Sequence, residues 1–258
     1  MAQHKDDQST LHVIVMLPTG SSYILRTHDE RDEECRLKCH FRLRGIRSTN
    51  PVAVGDGVTL RQQQGAHHQA DAQAAATQTL FITEIDERRN YIVRKASNLS
   101  KQSHILAANI DLALLVVTVA RPQTTTTFID RFLATAEAYR VPAALVINKM
   151  DQLTDDERQE ADYLGHIYSA IGYPVFMVSA LTGDGLDALR TAMQGQTSLL
   201  AGHSGVGKST LINRFVPDAH ARTAGISDAH GTGMHTTTFS ELYTLPEGGA
   251  LIDIPGIK

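Results

Sequence analysis

Cysteine is scarce in this sequence: Cys35 and Cys39 are the only two in 258 residues. In the alternating pattern around them they share one strand face about 13 Å apart, at ~3.3 Å rise per residue, too far for a disulfide. Two thiols without two further ligands do not make a structural zinc site, which leaves them as core thiols. Long apolar runs are missing as well. Nothing approaches the roughly 20 residues of a membrane span, and the first ten residues are polar rather than signal-like, so the expected location is the cytoplasm. Positive charge is not in surplus either. Lys and Arg number 24 against 28 Asp and Glu, a formal net charge of −4, so any nucleic-acid surface has to be local. The chain is long enough for a full core and for two domains.

What is present centres on Gly202-His203-Ser204-Gly205-Val206-Gly207-Lys208-Ser209, between the apolar Ser198-Leu199-Leu200-Ala201 and Thr210-Leu211-Ile212-Asn213-Arg214-Phe215. The stretch fits GxxxxGK[ST] between a short buried strand and a helix expected to start near Lys208. Glycines let the backbone amides and the helix N-terminus converge on an anionic phosphate. Lys208 supplies a point charge for the β- and γ-phosphates, and the Ser209 hydroxyl is placed to ligate Mg²⁺.

Upstream, the nearly unbroken apolar run from Ile110 to Val119 and a second one over Ala143 to Ile147 read as strands covered on both faces. A helix between them is expected to be capped by Thr127 with Asp130. Strand, helix and strand in alternation predict an α/β sheet. At the carboxyl end of the second strand stands Asn148-Lys149-Met150-Asp151, where ligands of such sheets bind. NKxD is a guanine signature. Asp151 accepts from guanine N1–H and the 2-amino group, Asn148 serves the Hoogsteen edge, and the Lys149 stem lies along the purine face. Adenine offers Asp151 no donor, and the hydrogen bonds forfeited are worth ~1.5–3 kcal/mol each. An acidic-starting helix over Asp155 to Gly172 and a buried strand over Pro174 to Val178 lead to Ser179-Ala180, where the Ala180 N–H is expected to meet guanine O6.

The first third, from Leu11 to about Ala96, shows short alternating segments broken by turn residues. They read as about five strands, the last running from Leu80 to Arg94, and so as a small barrel of the OB type. In the third, Cys35 to Leu43, the apolar residues share one face. Arg36, Lys38, His40, Arg42 and Arg44 share the other, extended by Arg47 and with Arg88, Arg89, Arg94 and Lys95 as further candidates, as a basic stripe suited to a phosphate backbone and to shaped or double-stranded RNA. A solvated face balanced by Glu30, Asp32, Glu33 and Glu34 is the alternative for that stripe. The Gln/Ala-rich stretch over 61–79 reads as a low-complexity insertion. Polar, irregular sequence from Lys95 to Asn109 places the boundary near residue 105, giving domains 10–105 and 106–258.

The motif order is rotated. In Ras-like GTPases the phosphate loop comes first and the guanine motifs last, whereas here the guanine motifs precede Gly202. His235-Thr236-Thr237-Thr238 and a strand ending in Asp253-Ile254-Pro255-Gly256 follow the loop. Asp253 is placed to hold Mg²⁺ through water, and the Gly256 amide to meet the γ-phosphate. An OB barrel followed by NKxD, SA, a phosphate loop, an HTTT segment and DxPG resembles the ribosome small subunit-dependent GTPase A family, from about Leu11 to Lys258. The resemblance implies a circularly permuted GTPase of low intrinsic activity, stimulated by the small ribosomal subunit and acting in its late (30S) maturation. Phosphates would be contacted from Gly202 to Thr210. Guanine would be contacted by Asn148, Lys149, Asp151, Ser179 and Ala180. A threonine after His235, taken as Thr237, would be the switch Mg²⁺ ligand.

Two departures from the pattern follow. Ile257 stands where Ras-like enzymes carry a water-orienting Gln, and the resemblance makes His235 the replacement, beside Lys208 as the second catalytic group. The family also carries a C-terminal zinc domain that this chain, ending at Lys258, does not reach, so the expectation is a truncated monomer with Zn²⁺ only in the missing part. Two other classes fit parts of the sequence: an RNA-binding assembly factor whose nucleotide domain no longer turns over, and a P-loop kinase, which would prefer ATP and not need Asp151.

Overall fold

A computed structural model describes residues 11–18, 23–27, 39–41, 52–62, 80–95, 103–219 and 240–254. The amino-terminal part forms a five-stranded sheet. Its strands are β1 (Leu11–Pro18), β2 (Tyr23–Thr27), β3 (Cys39–Phe41), β4 (Gly57–Gln62) and β5 (Leu80–Ile85), in the order β2-β1-β4-β5-β3. Alternate residues Val13, Val15, Leu25, Val58, Leu60 and Ile82 close a small core on one face, as a period of two dictates. Among the described residues β2 and β3 are the two edges and no ladder joins them, so the sheet is seen without the closure that a barrel adds. Only Cys39–Phe41 of the expected Cys35–Leu43 strand is described. The basic stripe of Arg36, Lys38, Arg42, Arg44 and Arg47 lies outside the described residues, as does most of the Gln/Ala-rich insertion.

The single strand expected from Leu80 to Arg94 is two. After β5 the charged run Asp86-Glu87-Arg88-Arg89 breaks the ladder, because Arg88 turns inward to form a bidentate pair with fully buried Asp56 at 2.6 and 2.7 Å. The chain then continues as β6 (Tyr91–Lys95), which pairs antiparallel with β7 (Ser103–Ala108). Residues 103–108 are therefore a strand, where irregular sequence was expected. Ile92 and Ala107 from this hairpin, with Val54, are buried in the same core as the larger sheet.

That sheet has six strands: β8 (Leu112–Val117), β9 (Ala143–Ile147), β10 (Val175–Met177), β11 (Thr197–Ala201), β12 (Glu241–Thr244) and β13 (Ala250–Asp253). Their order is β10-β9-β8-β11-β13-β12, with only β12 antiparallel. The unbroken apolar runs are explained by cover on both faces. Leu115, Val117, Leu145, Ile147 and Leu199 pack with Ile129, Phe132 and Leu133 of α1 (Thr126–Ala138) and with Ala161 and Tyr168 of α2 (Asp155–Ala170). Their sequence neighbours Leu114, Val116, Val146 and Leu200 face Leu189 and Met193 of α3 (Leu186–Met193) and Leu211, Ile212 and Phe215 of α4 (Lys208–Phe215).

Helix α1 is capped by Thr125, whose hydroxyl accepts from the Phe128 amide at 3.4 Å, rather than by Thr127. Helix α2 starts with a reciprocal capping box between Thr154 and Glu157 and three acids in its first turn, matching the helix dipole. The hairpin is stitched to the six-stranded sheet. Asn90 exchanges two hydrogen bonds with the backbone of Ile110 at 2.8 Å and donates to the Arg140 carbonyl at 3.1 Å. No helix among the described residues is long and apolar enough to cross a membrane.

Candidate functional site

The glycine-rich loop joins β11 to α4 at the carboxyl edge of the sheet. Two of its glycines are fixed by space and by backbone angle together. A Cβ on Gly202 (φ 147°) would stand 2.4 Å from the Val116 carbonyl oxygen, and one on Gly207 (φ 99°) 2.3 Å from Asn148 Nδ2. Helix α4 begins at Lys208, so Lys208, Ser209 and Thr210 occupy its first turn, with the unbonded amides that favour an anion. Lys208 folds back across the loop, and its ammonium donates to the carbonyls of Gly202 and His203, each at 2.8 Å. Burial pushes the Lys208 ammonium below its ordinary value, with Asp253 opposing that shift. The His203 ring lies against Phe128 of α1 with centroids 3.7 Å apart.

Asp253 closes β13 beside the strand that feeds the loop, paired in register with Leu200. Its carboxyl is 8 % exposed and is pushed up to about 6, by burial first, with Lys208 lowering it and Glu241 raising it. Asp253 Oδ1 has no hydrogen-bond partner, the one buried acidic oxygen of the described residues left so. A buried carboxylate oxygen without a partner, beside a helix start that presents a serine hydroxyl, fits a hard divalent cation such as Mg²⁺.

The Asn148–Asp151 turn follows β9. Asn148, 1 % exposed, donates from Nδ2 to the Val206 carbonyl at 2.8 Å and accepts on Oδ1 from the Ala180 amide at 3.0 Å. Asn148 and Ala180, both expected beside the base, are thus bonded to each other, and Asn148 also to the phosphate loop. Lys149 holds left-handed backbone (φ 67°), a conformation that costs about 1–3 kcal/mol away from glycine. Its Nζ donates to the Arg121 carbonyl at 2.6 Å. Desolvation lowers the Lys149 pKa, the Arg121 charge lowers it further, and Asp151 works the other way. Asp151 accepts from the Ser179 hydroxyl at 2.5 Å on one carboxylate oxygen, leaving the other for a ligand. The Ser179 oxygen in turn accepts from the Thr182 amide at 3.1 Å.

The structure therefore brings together Asn148, Lys149, Asp151, Ser179 and Ala180 with the loop from Gly202 to Thr210 and with Asp253. His235, Thr237 and Gly256 lie outside the described residues. Sequence reasoning did not single out Arg121, Glu157 or Phe128. The only signal for Arg121 is an Arg-Pro pair directly after a buried strand.

Residues 85–258 match the RsgA GTPase family. A "Small ribosomal subunit biogenesis GTPase RsgA" of Bacteroides fragilis is 55 % identical over 245 residues, covering 95 % of this chain and 75 % of the relative. One from Porphyromonas gingivalis is 54 % identical over 250 residues, with 95 % and 76 % coverage. Among solved structures, YjeQ from Thermotoga maritima is similar at a TM-score of 0.68 and 29 % identity, over 96 % of this chain and 75 % of that one. YloQ, described as a circularly permuted GTPase, gives 0.60 and 26 %, over 99 % and 74 %. The rotated motif order, the six-stranded sheet and these likenesses agree: the chain belongs to the RsgA GTPase family.

Proposed function

We propose that the chain binds GTP with Mg²⁺ and hydrolyses it to GDP and phosphate, and that it does so in the cytoplasm during maturation of the small ribosomal subunit. The observation that carries this reading is the Asn148 side chain, which ties the guanine turn, the Ser179-Ala180 loop and the phosphate loop into one pocket at 2.8 and 3.0 Å. Asp151 supplies base specificity. The Gly202–Thr210 backbone and Lys208 hold the phosphates, and in doing so Lys208 exchanges its two loop carbonyls for phosphate oxygens. Ser209 and Asp253, with Thr237, would hold Mg²⁺, which supplies charge neutralisation on the β- and γ-phosphates. Attack of water forms a new bond to the γ-phosphorus as its bond to the bridging oxygen breaks, GDP departs with that electron pair, and both water protons leave with the phosphate as dihydrogen phosphate. We assign orientation of that water to His235, since Ile257 has no hydrogen-bonding group, and the γ-phosphate contact to the Gly256 amide.

The amino-terminal sheet supports the finer reading of an OB-type RNA-binding domain (10–105) ahead of the GTPase domain (106–258). The parallel β3–β5 pairing and the β1–β4 pairing are the observations in its favour. Arg36, Lys38, Arg42, Arg44 and Arg47 are its proposed rRNA contacts, acting on a monomeric chain. Equilibrium titration of GDP against ADP, with Asp151→Asn alongside, tests the nucleotide. A wild-type chain without preference for GDP, or an Asp151→Asn variant that retains it, overturns the assignment. Multiple-turnover phosphate release with and without small subunits tests the hydrolysis and its setting, and separates a working enzyme from an assembly factor that only binds.

A further inference from the structure

The loop between β8 and α1 contains no residue of either nucleotide signature, yet one of its residues grips the base-recognition turn from two sides. Arg121 has left-handed backbone (φ 52°), and its carbonyl accepts from Lys149 Nζ at 2.6 Å. From the other direction its guanidinium donates to the carbonyl of Gln152, the residue after Asp151, at 2.7 Å. The same guanidinium is held in a fork by Glu157, Nη1 to Oε1 at 2.8 Å and Nη2 to Oε2 at 2.7 Å. Glu157 is no free side chain, since it also closes the capping box of α2 by accepting from the Thr154 amide at 2.9 Å. The loop itself is braced: Thr118 Oγ1 donates to the Pro122 carbonyl at 2.5 Å, and the Thr124 amide to the Thr118 carbonyl at 2.8 Å. Forked arginine–carboxylate pairs fix direction as well as distance.

We propose that Arg121 is a positioning residue for guanine recognition, setting the Lys149 stem over the purine and the Asp151 carboxylate toward the N1 and 2-amino edge before the nucleotide arrives. The inference rests on the guanine reading above. A lysine whose ammonium is already anchored gives up less freedom on binding, and a carboxylate turn clamped at Gln152 is already aimed. Glu157 offsets the guanidinium charge, so two cations stand close together without expelling one another.

The test is titration of the whole chain with GDP, IDP and ADP, comparing wild type with Arg121→Ala, Arg121→Lys and Glu157→Gln, with melting temperatures for each. Inosine lacks the 2-amino group that Asp151 accepts from, so the GDP:IDP affinity ratio reads the aim of that carboxylate alone. Arg121→Ala is expected to weaken GDP binding about tenfold and to narrow the GDP:IDP ratio toward one. Arg121→Lys and Glu157→Gln should give the same change in smaller degree. Arg121→Ala binding GDP as wild type does, or losing GDP and IDP by an equal factor, overturns the role. If Arg121→Ala does not fold, Glu157→Gln decides in the same two ways, since it releases the guanidinium and leaves the loop sequence intact. A wild-type chain that does not prefer GDP to ADP overturns the guanine reading itself, whereas a wild type that prefers GDP, with variants that keep the GDP:IDP ratio, overturns only the role of Arg121.

Discussion

Asn148 Nδ2 donates to the Val206 carbonyl at 2.8 Å across 58 positions of sequence, and the same side chain accepts from the Ala180 amide. Removing it orphans a buried carbonyl and a buried amide together. Asn148→Ala should cost about 1–3 kcal/mol for each group left unpaired and should also weaken GDP binding, because the two loops lose their shared strut. Chemical denaturation of the nucleotide-free chain checks the first part, and GDP titration the second. A variant as stable as wild type would mean that water replaces the strut.

Gly207→Ala should abolish nucleotide binding, since its Cβ would meet Asn148 Nδ2 at 2.3 Å on a backbone at φ 99°. Gly172 is the control. Its φ is 101° but nothing lies within 4 Å of an added Cβ, so Gly172→Ala should cost only the backbone strain, about 1–2 kcal/mol, with GDP affinity unchanged. Equal losses of GDP affinity in the two variants would contradict the assignment of Gly207 to a close approach.

The Asp253 carboxyl, raised from 3.8 to about 6, gives the nucleotide-free chain a definite pH signature. The folded state holds this proton more tightly than the unfolded state. The group's contribution to stability is therefore greatest below pH about 4, declines as pH rises toward 6 and stays low beyond it. Asp253→Asn should flatten that decline, so its denaturation midpoint gains on wild type between pH 4 and pH 8 when both are measured in chelator. A constant difference between the two proteins across that range would refute the shift.

Asp56 is fully buried, accepts from the Ala53 amide at 2.7 Å and holds Arg88 in a fork, with no hydrogen bond to a residue of the phosphate loop. Asp56→Ala should destabilise by about 3–5 kcal/mol, the scale for breaking a buried pair from one side. GDP affinity, measured below the unfolding transition, should stay at the wild-type value. A specific loss of nucleotide binding in a folded Asp56→Ala chain would show that the pair serves the pocket as well.

The placement of the motifs was legible where residue type and spacing form a local signature. The phosphate loop, Asn-Lys-Met-Asp and Ser-Ala fall where the sequence places them, because each is a local signature attached to the end of a buried strand. The α1 cap was misplaced by two residues, since Thr124 to Thr127 are four consecutive capping side chains and packing of Phe128 and Ile129 decides which is used. Strand β7 was missed because Ile105, Leu106, Ala107 and Ala108 do not alternate with polar residues, and its partner β6 was merged with β5. Arg121 was illegible for a different reason: its meaning depends on a left-handed backbone and on Glu157, 36 positions away, which no local pattern encodes.

The three side-chain hydrogen bonds of Asn90 tie the start of the β6–β7 hairpin to Ile110 and Arg140, and Ile92 shares its core with Ile252, next to Asp253. The hairpin therefore shares one packed body with the strand that ends in Asp253, so displacing the one strains the other.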